Sequence, residues 1–336
     1  MDLALYEVRM EYKDWDYHQI ITSVLPEELL DEVPSGFTQS GHMAHLNLRE
    51  PYLPYKHIIG QVILDKALGC KTVVNKTEEV GVSSEFRTFG MEILAGEPIT
   101  EVELIESGCK FKFDFAKVYW NSRLSTEHQR IIDMFKEGEA VADIMAGVGP
   151  FAVPAGKKRV FVCANDLNPE SYKALVENID RNKVCLPGHQ KGSLGLTNMQ
   201  VGDFVKAYNE DGRDFIRTVV KTLYKFSTQW GEILVHPKIK YSRSNPIPPD
   251  QKPPPKIYHI PPTFNHFVMN LPATAVEFLD SFIGVYTGME ALFEPHTNRE
   301  LPLIHLHIFD QPHVEDARGS ICQVCKLVSP IITIHS

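Results

Sequence analysis

From residue 116 onward the chain alternates between strand-like and helix-like stretches, and this alternation limits its fold more than any other feature. STEHQRIIDMFK (125–136) reads as an amphipathic helix with Ser125 or Thr126 as N-cap. Strands are expected over AVADIMAG (140–147), RVFVCAND (159–166), NMQVGDF (198–204), HFVMNLP (266–272) and PLIHLHIFD (302–310). Between them, helices are expected over PFAVPAGKK (150–158), PESYKALVENIDRN (169–182, with Pro169 in its first turn), DFIRTVVKTLYKF (214–226) and TAVEFLDSFIGVY (274–286). This spacing predicts a mostly parallel, doubly wound α/β sheet with helices on both faces.

The chain ahead of that region has a different texture. Residues 1–33 read as a polar helical lead-in, and 34–115 as a small α+β domain. AHLNLRE and KTVVNK are expected strands around a helix over PYKHIIGQVILDKAL. MEILAG, TEVELIESG and KFKFDFAKVYW alternate as sheet strands do, with turns at Gly96-Glu97-Pro98 and Ser107-Gly108. Three regions follow: 1–33, 34–115 and 116–336. Residues 237–262 are Pro-rich and basic, and read as an insertion unable to pack as a core element. It is either a plain linker or an RNA-touching loop.

No apolar run reaches the roughly 18–20 residues of a membrane span, and the acidic start resembles neither a secretory signal nor a transit peptide. A soluble intracellular protein is expected. Six scattered cysteines speak against a disulfide framework. The net charge of −9 disfavours a polyanion partner, so any nucleic-acid contact must rest on a local basic patch.

The strongest chemical signal is VADIMAGVGPF. A strand delivers Asp143, and Gly147 and Gly149 turn the chain into a helix where a backbone approaches a ligand closely. The next strand ends in Asp166, the place of a ribose-binding acid, and the third is expected to end in Gly202-Asp203. Gly147-x-Gly149-x-x-Ala152 also fits the dinucleotide fingerprint formally. Asp143 shifts the reading to S-adenosylmethionine, because its carboxylate would face an ammonium group but repel a pyrophosphate. Asn270-Leu271-Pro272 ends the fourth strand of the alternating region, where an amide beside a stiff proline suits a planar base. Taken alone, Glu127 is an ordinary first-turn acid and Arg87 a surface charge.

Six ordered segments alter that: SGFTQSGHMAHLNLREPYLPYKHIIGQVILDK, SSEFRTFGMEILAGE, FDFAKVYWNSRLSTEHQRI, DIMAGVGPFAVPAGKK, ANDLNPESYKALVENI and MNLPATAVEFLDSF. Together they resemble the eukaryotic and archaeal tRNA guanine-37 N1-methyltransferase family from about residue 35 to 310. The resemblance implies a class I Rossmann-like methyltransferase sheet behind a smaller α+β domain, with S-adenosylmethionine as cofactor and tRNA as partner. It implies Glu127 as general base for the N1 proton and Arg87 as the group stabilising charge on O6, which suits weakly acidic guanine N1–H. Asn270 and Pro272 would shape the base pocket, supported by Tyr119 and Arg123. His128, Asp143, Asp166, Leu167, Asp203, Phe204 and Asn270 would line the cofactor site around Gly147 and Gly149. A monomer in nucleus, cytoplasm and mitochondrial matrix is the matching expectation.

Met145 stands where the family usually has an aromatic, the N-terminal RNA-binding module is expected to be largely absent, and the end beyond 310 matches poorly. Two alternatives stay open: an aminocarboxypropyl transferase of wybutosine synthesis and a non-catalytic tRNA-binding remnant. Cys322-x-x-Cys325 with His305, His307 and His313 reads as scattered structural residues rather than a zinc site.

Overall fold

The computed structural model describes residues 9–34, 36–77, 86, 88, 90–182, 204–235, 254–272, 274–307 and 332–335. Two compact units form, Met1–Leu104 with Lys112–Ser122, and Ile105–Phe111 with Arg123–Ser336.

In the first unit, Asp16 and Gln19 form a reciprocal capping box that starts α1 (Tyr17–Val24). Strands β1 (Thr38–Ser40) and β2 (Met43–Leu46) form a hairpin, and α2 (Lys56–Lys66) then crosses over to β3 (Thr72–Lys76), which lies parallel to β2. β4 (Met91–Gly96) closes this sheet antiparallel to β3. Ile21 and Leu25 bury against Ile59, Val62 and Ile63 of α2, over Val73 and Leu94. The expected strand at 44–50 stops at Leu46, because a 3-10 turn over Glu50–Tyr55 leads into α2. β5 (Glu101–Glu106) and β6 (Cys109–Asp114) pair across Ser107-Gly108, both at positive φ (48° and 68°). Positive φ at both turn positions matches the twist of a two-residue hairpin.

The second unit carries α3 (Ser125–Met134), β7 (Ala140–Asp143), α4 (Ala152–Lys157), β8 (Phe161–Asn165), α5 (Pro169–Arg181), β9 (Val205–Tyr208) and α6 (Gly212–Gln229). There follow β10 (Glu232–Val235), β11 (Lys256–His259), β12 (His266–Met269), β13 (Leu303–His307) and β14 (Ile332–His335). The main sheet runs β14-β13-β12-β7-β8-β9, and every neighbouring pair is parallel. β7, β8 and β12 are buried along their whole length, as strands covered on both faces must be.

The structure corrects four expectations. The N-cap of α3 is Leu124, neither Ser125 nor Thr126, because the 3-10 turn Ser122–Leu124 runs straight into the helix. The helix expected over 274–286 is a 3-10 segment, Ala275–Phe282, followed by turns through Gly284 and Gly288 at positive φ. The Pro-rich stretch ends in a packed element. β11 pairs antiparallel with β10, a strand the sequence reading omitted. It buries Tyr258 and, just beyond, Ile260 in the core, which its prolines concealed. Finally, β9 begins at Val205, so Phe204 lies at its entrance and not at its carboxyl end.

Candidate active site

Chain order reverses at β7. The chain runs outward from β7 through β8 to β9, then returns to the other side of β7 with β12, β13 and β14. The crevice beyond the carboxyl ends of β7 and β12 is therefore the switch point where open parallel sheets bind ligands. Register fixes who meets there. Val268 pairs with Asp143, and the Ile144 N–H donates to the Val268 carbonyl at 2.9 Å. Asn270, Leu271 and Pro272 leave β12 beside the turn that follows Asp143.

That turn is shaped by two glycines with different reasons. At Gly147 (φ 54°) a Cβ would meet nothing within 4 Å, so the backbone faces open space. At Gly149 (φ 96°) a Cβ would lie 2.7 Å from Leu175 Cδ1 and 2.8 Å from Val153 Cγ2. The first glycine opens the crevice and the second lets α4 and α5 pack beneath it.

Asp143 is fully buried, and among the described residues neither carboxylate oxygen has a hydrogen-bond partner. Burial raises it well above the usual carboxylate range, and neighbouring Asp166 adds to the rise. A buried, unpartnered carboxylate costs several kcal/mol and is relieved by a cationic donor. Asp166 differs in its partners. It accepts the Gly147 N–H at 2.7 Å and the Asn168 N–H at 2.9 Å, and burial still raises it above its ordinary value. Leu167, next to it, is exposed.

Asn165 ties three strand ends together. Its amide donates to the Ile144 and Glu210 carbonyls and accepts the Glu210 N–H at 2.9 Å. The carboxyl end of β9 thus presents Asn209, Glu210 and Asp211, residues the sequence reading passed over. Asn209 donates to the carbonyls of Asp166 (2.7 Å) and Leu167 (3.0 Å), and Asp211 caps α6. The Asn-Glu-Asp-Gly run before an amphipathic helix was the available signal. The sequence reading put Asp203 and Phe204 in this role. Asp203 lies outside the described residues, and the Phe204 ring is buried against Phe161 (5.1 Å) and Tyr258 (5.3 Å) in the core. Phe204 therefore offers no surface to a ligand in the crevice.

α3 contributes the remaining groups. Arg130 grips Glu127 with both branches of its fork, Nε to Oε2 at 2.6 Å and Nη2 to Oε1 at 2.7 Å. His307 Nε2 lies 3.1 Å from Oε1. The Arg130 bond chiefly, with His307 assisting, holds Glu127 below the usual carboxylate range against opposing burial. His128 is buried, bonded to Glu106 through Nδ1 at 2.6 Å, and edge-on to Phe151 at 4.9 Å. Arg123 is exposed in the turn ahead of α3. Tyr119 belongs to the first unit, and Arg87 lies outside the described residues. So do Cys322, Cys325 and His313. Among the described residues, no group of three or more His, Cys, Asp or Glu is arranged to hold a metal ion.

Residues 17–100 match the TYW2 N-terminal domain model, and residues 102–187 match the TRM5/TYW2 methyltransferase domain model. A tRNA (guanine(37)-N(1))-methyltransferase of Candida albicans is 45% identical over 337 residues, covering 97% of this chain and 71% of that protein. The chain belongs to the tRNA (guanine(37)-N(1))-methyltransferase family. A family member of the same description from Aspergillus fumigatus is 48% identical over 326 residues, 96% of this chain. The chain spans 64% of that relative's length. Among solved structures of the family's fold, Trm5b from Pyrococcus abyssi superposes with a TM-score of 0.57 at 25% identity, over 90% of this chain and 69% of that one. The complex of aTrm5 with tRNALeu has the same fold, at a TM-score of 0.54 and 23% identity, over 83% of this chain and 65% of that one.

Proposed function

We propose that the chain transfers a methyl group from S-adenosylmethionine to N1 of guanine 37 in tRNA. The observation that carries this reading is Asp143: a fully buried carboxylate without a partner, beside an open glycine turn at the sheet's switch point. A nicotinamide dinucleotide would bring a pyrophosphate to that turn, and Asp143 would repel it. An amino-acid ammonium group would satisfy both orphan oxygens. Family membership supports the same reading, as do the names of the relatives and the neighbour solved with tRNALeu.

The bound cofactor would supply an electrophilic methyl on a sulfonium. The chain's own groups do the rest. Asp143 holds the ammonium end, Asp166 the ribose hydroxyls, and the Gly147 turn admits the ligand backbone. His128, Leu167 and the β9 end with Asn209 and Asp211 complete the wall. The Asn270 amide and Pro272 fix the base edge once the guanine has left its stack. Glu127 takes the N1 proton, a role for which it must be ionised, and its lowered pKa keeps it so at neutral pH. Arg87 is the proposed donor to O6, with Tyr119 and Arg123 in support. Action as a monomer, in nucleus, cytoplasm and mitochondrial matrix, belongs to the same proposal.

The test is incubation with unmodified tRNA and labelled cofactor, followed by nucleoside analysis. N1-methylguanosine at position 37 is the expected product. An aminocarboxypropyl adduct, or binding without turnover, would overturn the proposal.

A further inference from the structure

His307 closes β13 two residues after His305, and the two differ in what they serve. His305 Nε2 meets His266 Nδ1 at 2.9 Å, and His266 reaches Glu139 at 3.2 Å, a buried chain that ties strands together near the start of β12. His307 points to the other end of the sheet. Its Nε2 lies 3.1 Å from Glu127 Oε1. An ionised carboxylate only accepts, so Nε2 carries the ring proton. The side chain is 11% exposed, and its ring packs on Phe151 at 5.9 Å. Phe151 lies two residues beyond Gly149 and also touches His128. Glu127 is thus held from two sides: by Arg130, nearly half exposed, and by His307, buried.

We propose that His307 is a positioning residue for Glu127, whose carboxylate it orients from the buried side, while the exposed edge held by Arg130 is the one a guanine N1 proton would approach. The proposal rests on the reading of Glu127 as proton acceptor. The groups facing the ring are Glu127 and His128 on α3, with Arg130 behind the first and Glu106 behind the second, and the Met269 carbonyl on β12. Burial lowers His307 below the usual histidine range, against the opposing pull of Glu127 and Met269. A neutral ring at pH 7 suits the task. It donates one directional bond without adding a second full charge beside Arg130, which would weaken Glu127 as a base.

His307→Phe keeps an aromatic ring against Phe151 and removes the donor. His307→Gln keeps a donor of similar reach. In the full chain, His307→Phe is expected to lower kcat for methyl transfer about 10–100-fold, with KM for cofactor and tRNA changed less than about threefold. Carbon-detected NMR of the labelled Glu127 carboxyl should show its titration midpoint rising in His307→Phe and returning in His307→Gln, which also recovers most of kcat. Wild-type kcat and an unmoved Glu127 titration in His307→Phe overturn the proposal. Glu127→Gln, assayed alongside, separates the two readings. If it is slow while His307→Phe is unaffected, only the role of His307 falls. If it keeps the wild-type rate, the base reading falls and this proposal with it. Should His307→Phe fail to fold, His307→Asn, a donor too short to reach, takes its place against His307→Gln.

Discussion

Asp143→Asn should stabilise the ligand-free chain and abolish cofactor binding, two effects of opposite sign from one atom change. The carboxylate is fully buried, has no partner among the described residues, and is raised well above its ordinary value by burial and by Asp166. A raised folded-state pKa means the native state holds a proton that the unfolded chain has released. Stability is therefore lost as pH climbs from the unfolded value, about 3.9, toward the folded one, by about 1.4 kcal/mol for each pH unit of that window. The amide has the same shape and no charge to bury, so the variant lacks this slope. In a unit of this size each kcal/mol moves Tm by about 2–4 °C. Thermal unfolding of both proteins between pH 4 and 8 should show wild type falling behind Asp143→Asn as pH rises. Saturating S-adenosylmethionine should reverse the order, because a ligand held 100-fold above its Kd adds about 2.7 kcal/mol to wild type alone. If Asp143→Asn melts below wild type at every pH and shows the same ligand-induced shift, Asp143 is a satisfied structural group and the reasoning fails.

Four further outcomes follow from the packing. Gly149→Ala should destabilise the second unit by about 1–3 kcal/mol, since its Cβ would overlap Leu175 and Val153; Gly147→Ala, facing open space, should cost about 1–2 kcal/mol of stability for its left-handed backbone and show its larger loss in cofactor titration calorimetry. Tyr258→Ala should cost about 3–5 kcal/mol in urea unfolding, because the ring is buried on Phe204 and its hydroxyl meets Glu137. Asp211→Ala should lose about 0.5–2 kcal/mol with the cap of α6, and a cofactor affinity equal to wild type would remove the β9 end from the site.

The main sheet was readable in the sequence because strands covered on both faces are continuous apolar runs, and because glycines and prolines mark where each run ends. Asp143 and Asn270 are each the first polar residue after such a run, and Asp166 is the second, directly after Asn165. Phe204 was misplaced because a strand-like apolar run can be read as ending on it, whereas the strand that pairs with β8 begins one residue later, with Val205 opposite Val162. β11 was hidden for a related reason. Flanking prolines signal a loop, while burial of Tyr258 against Phe204 is a contact no local pattern encodes. The Glu127–His307 bond joins residues 180 apart in the chain and exists only because β13 lies beside β12 in the sheet.

The electrostatics of Glu127 raise a last question of sign. Arg130 keeps it ionised, yet a carboxylate gripped by a guanidinium is a poorer base. The two partners differ in what their release costs. The Arg130 side chain is nearly half exposed, so solvent screens the pair and opening it takes no more than about 1 kcal/mol. The His307 side chain is only 11% exposed, so solvent offers it little in exchange for Glu127. If Glu127 is the proposed proton acceptor, a guanine N1–H arriving there would displace Arg130 and leave His307 in place, and losing the guanidinium would raise the basicity of Glu127 as it takes the proton. On this reasoning Arg130→Gln should change the single-turnover rate by less than about tenfold, whereas Glu127→Gln should lower it by roughly 10²–10⁴-fold with cofactor affinity retained. Equal losses in the two variants would make Arg130 a working part of the site and refute the displacement argument.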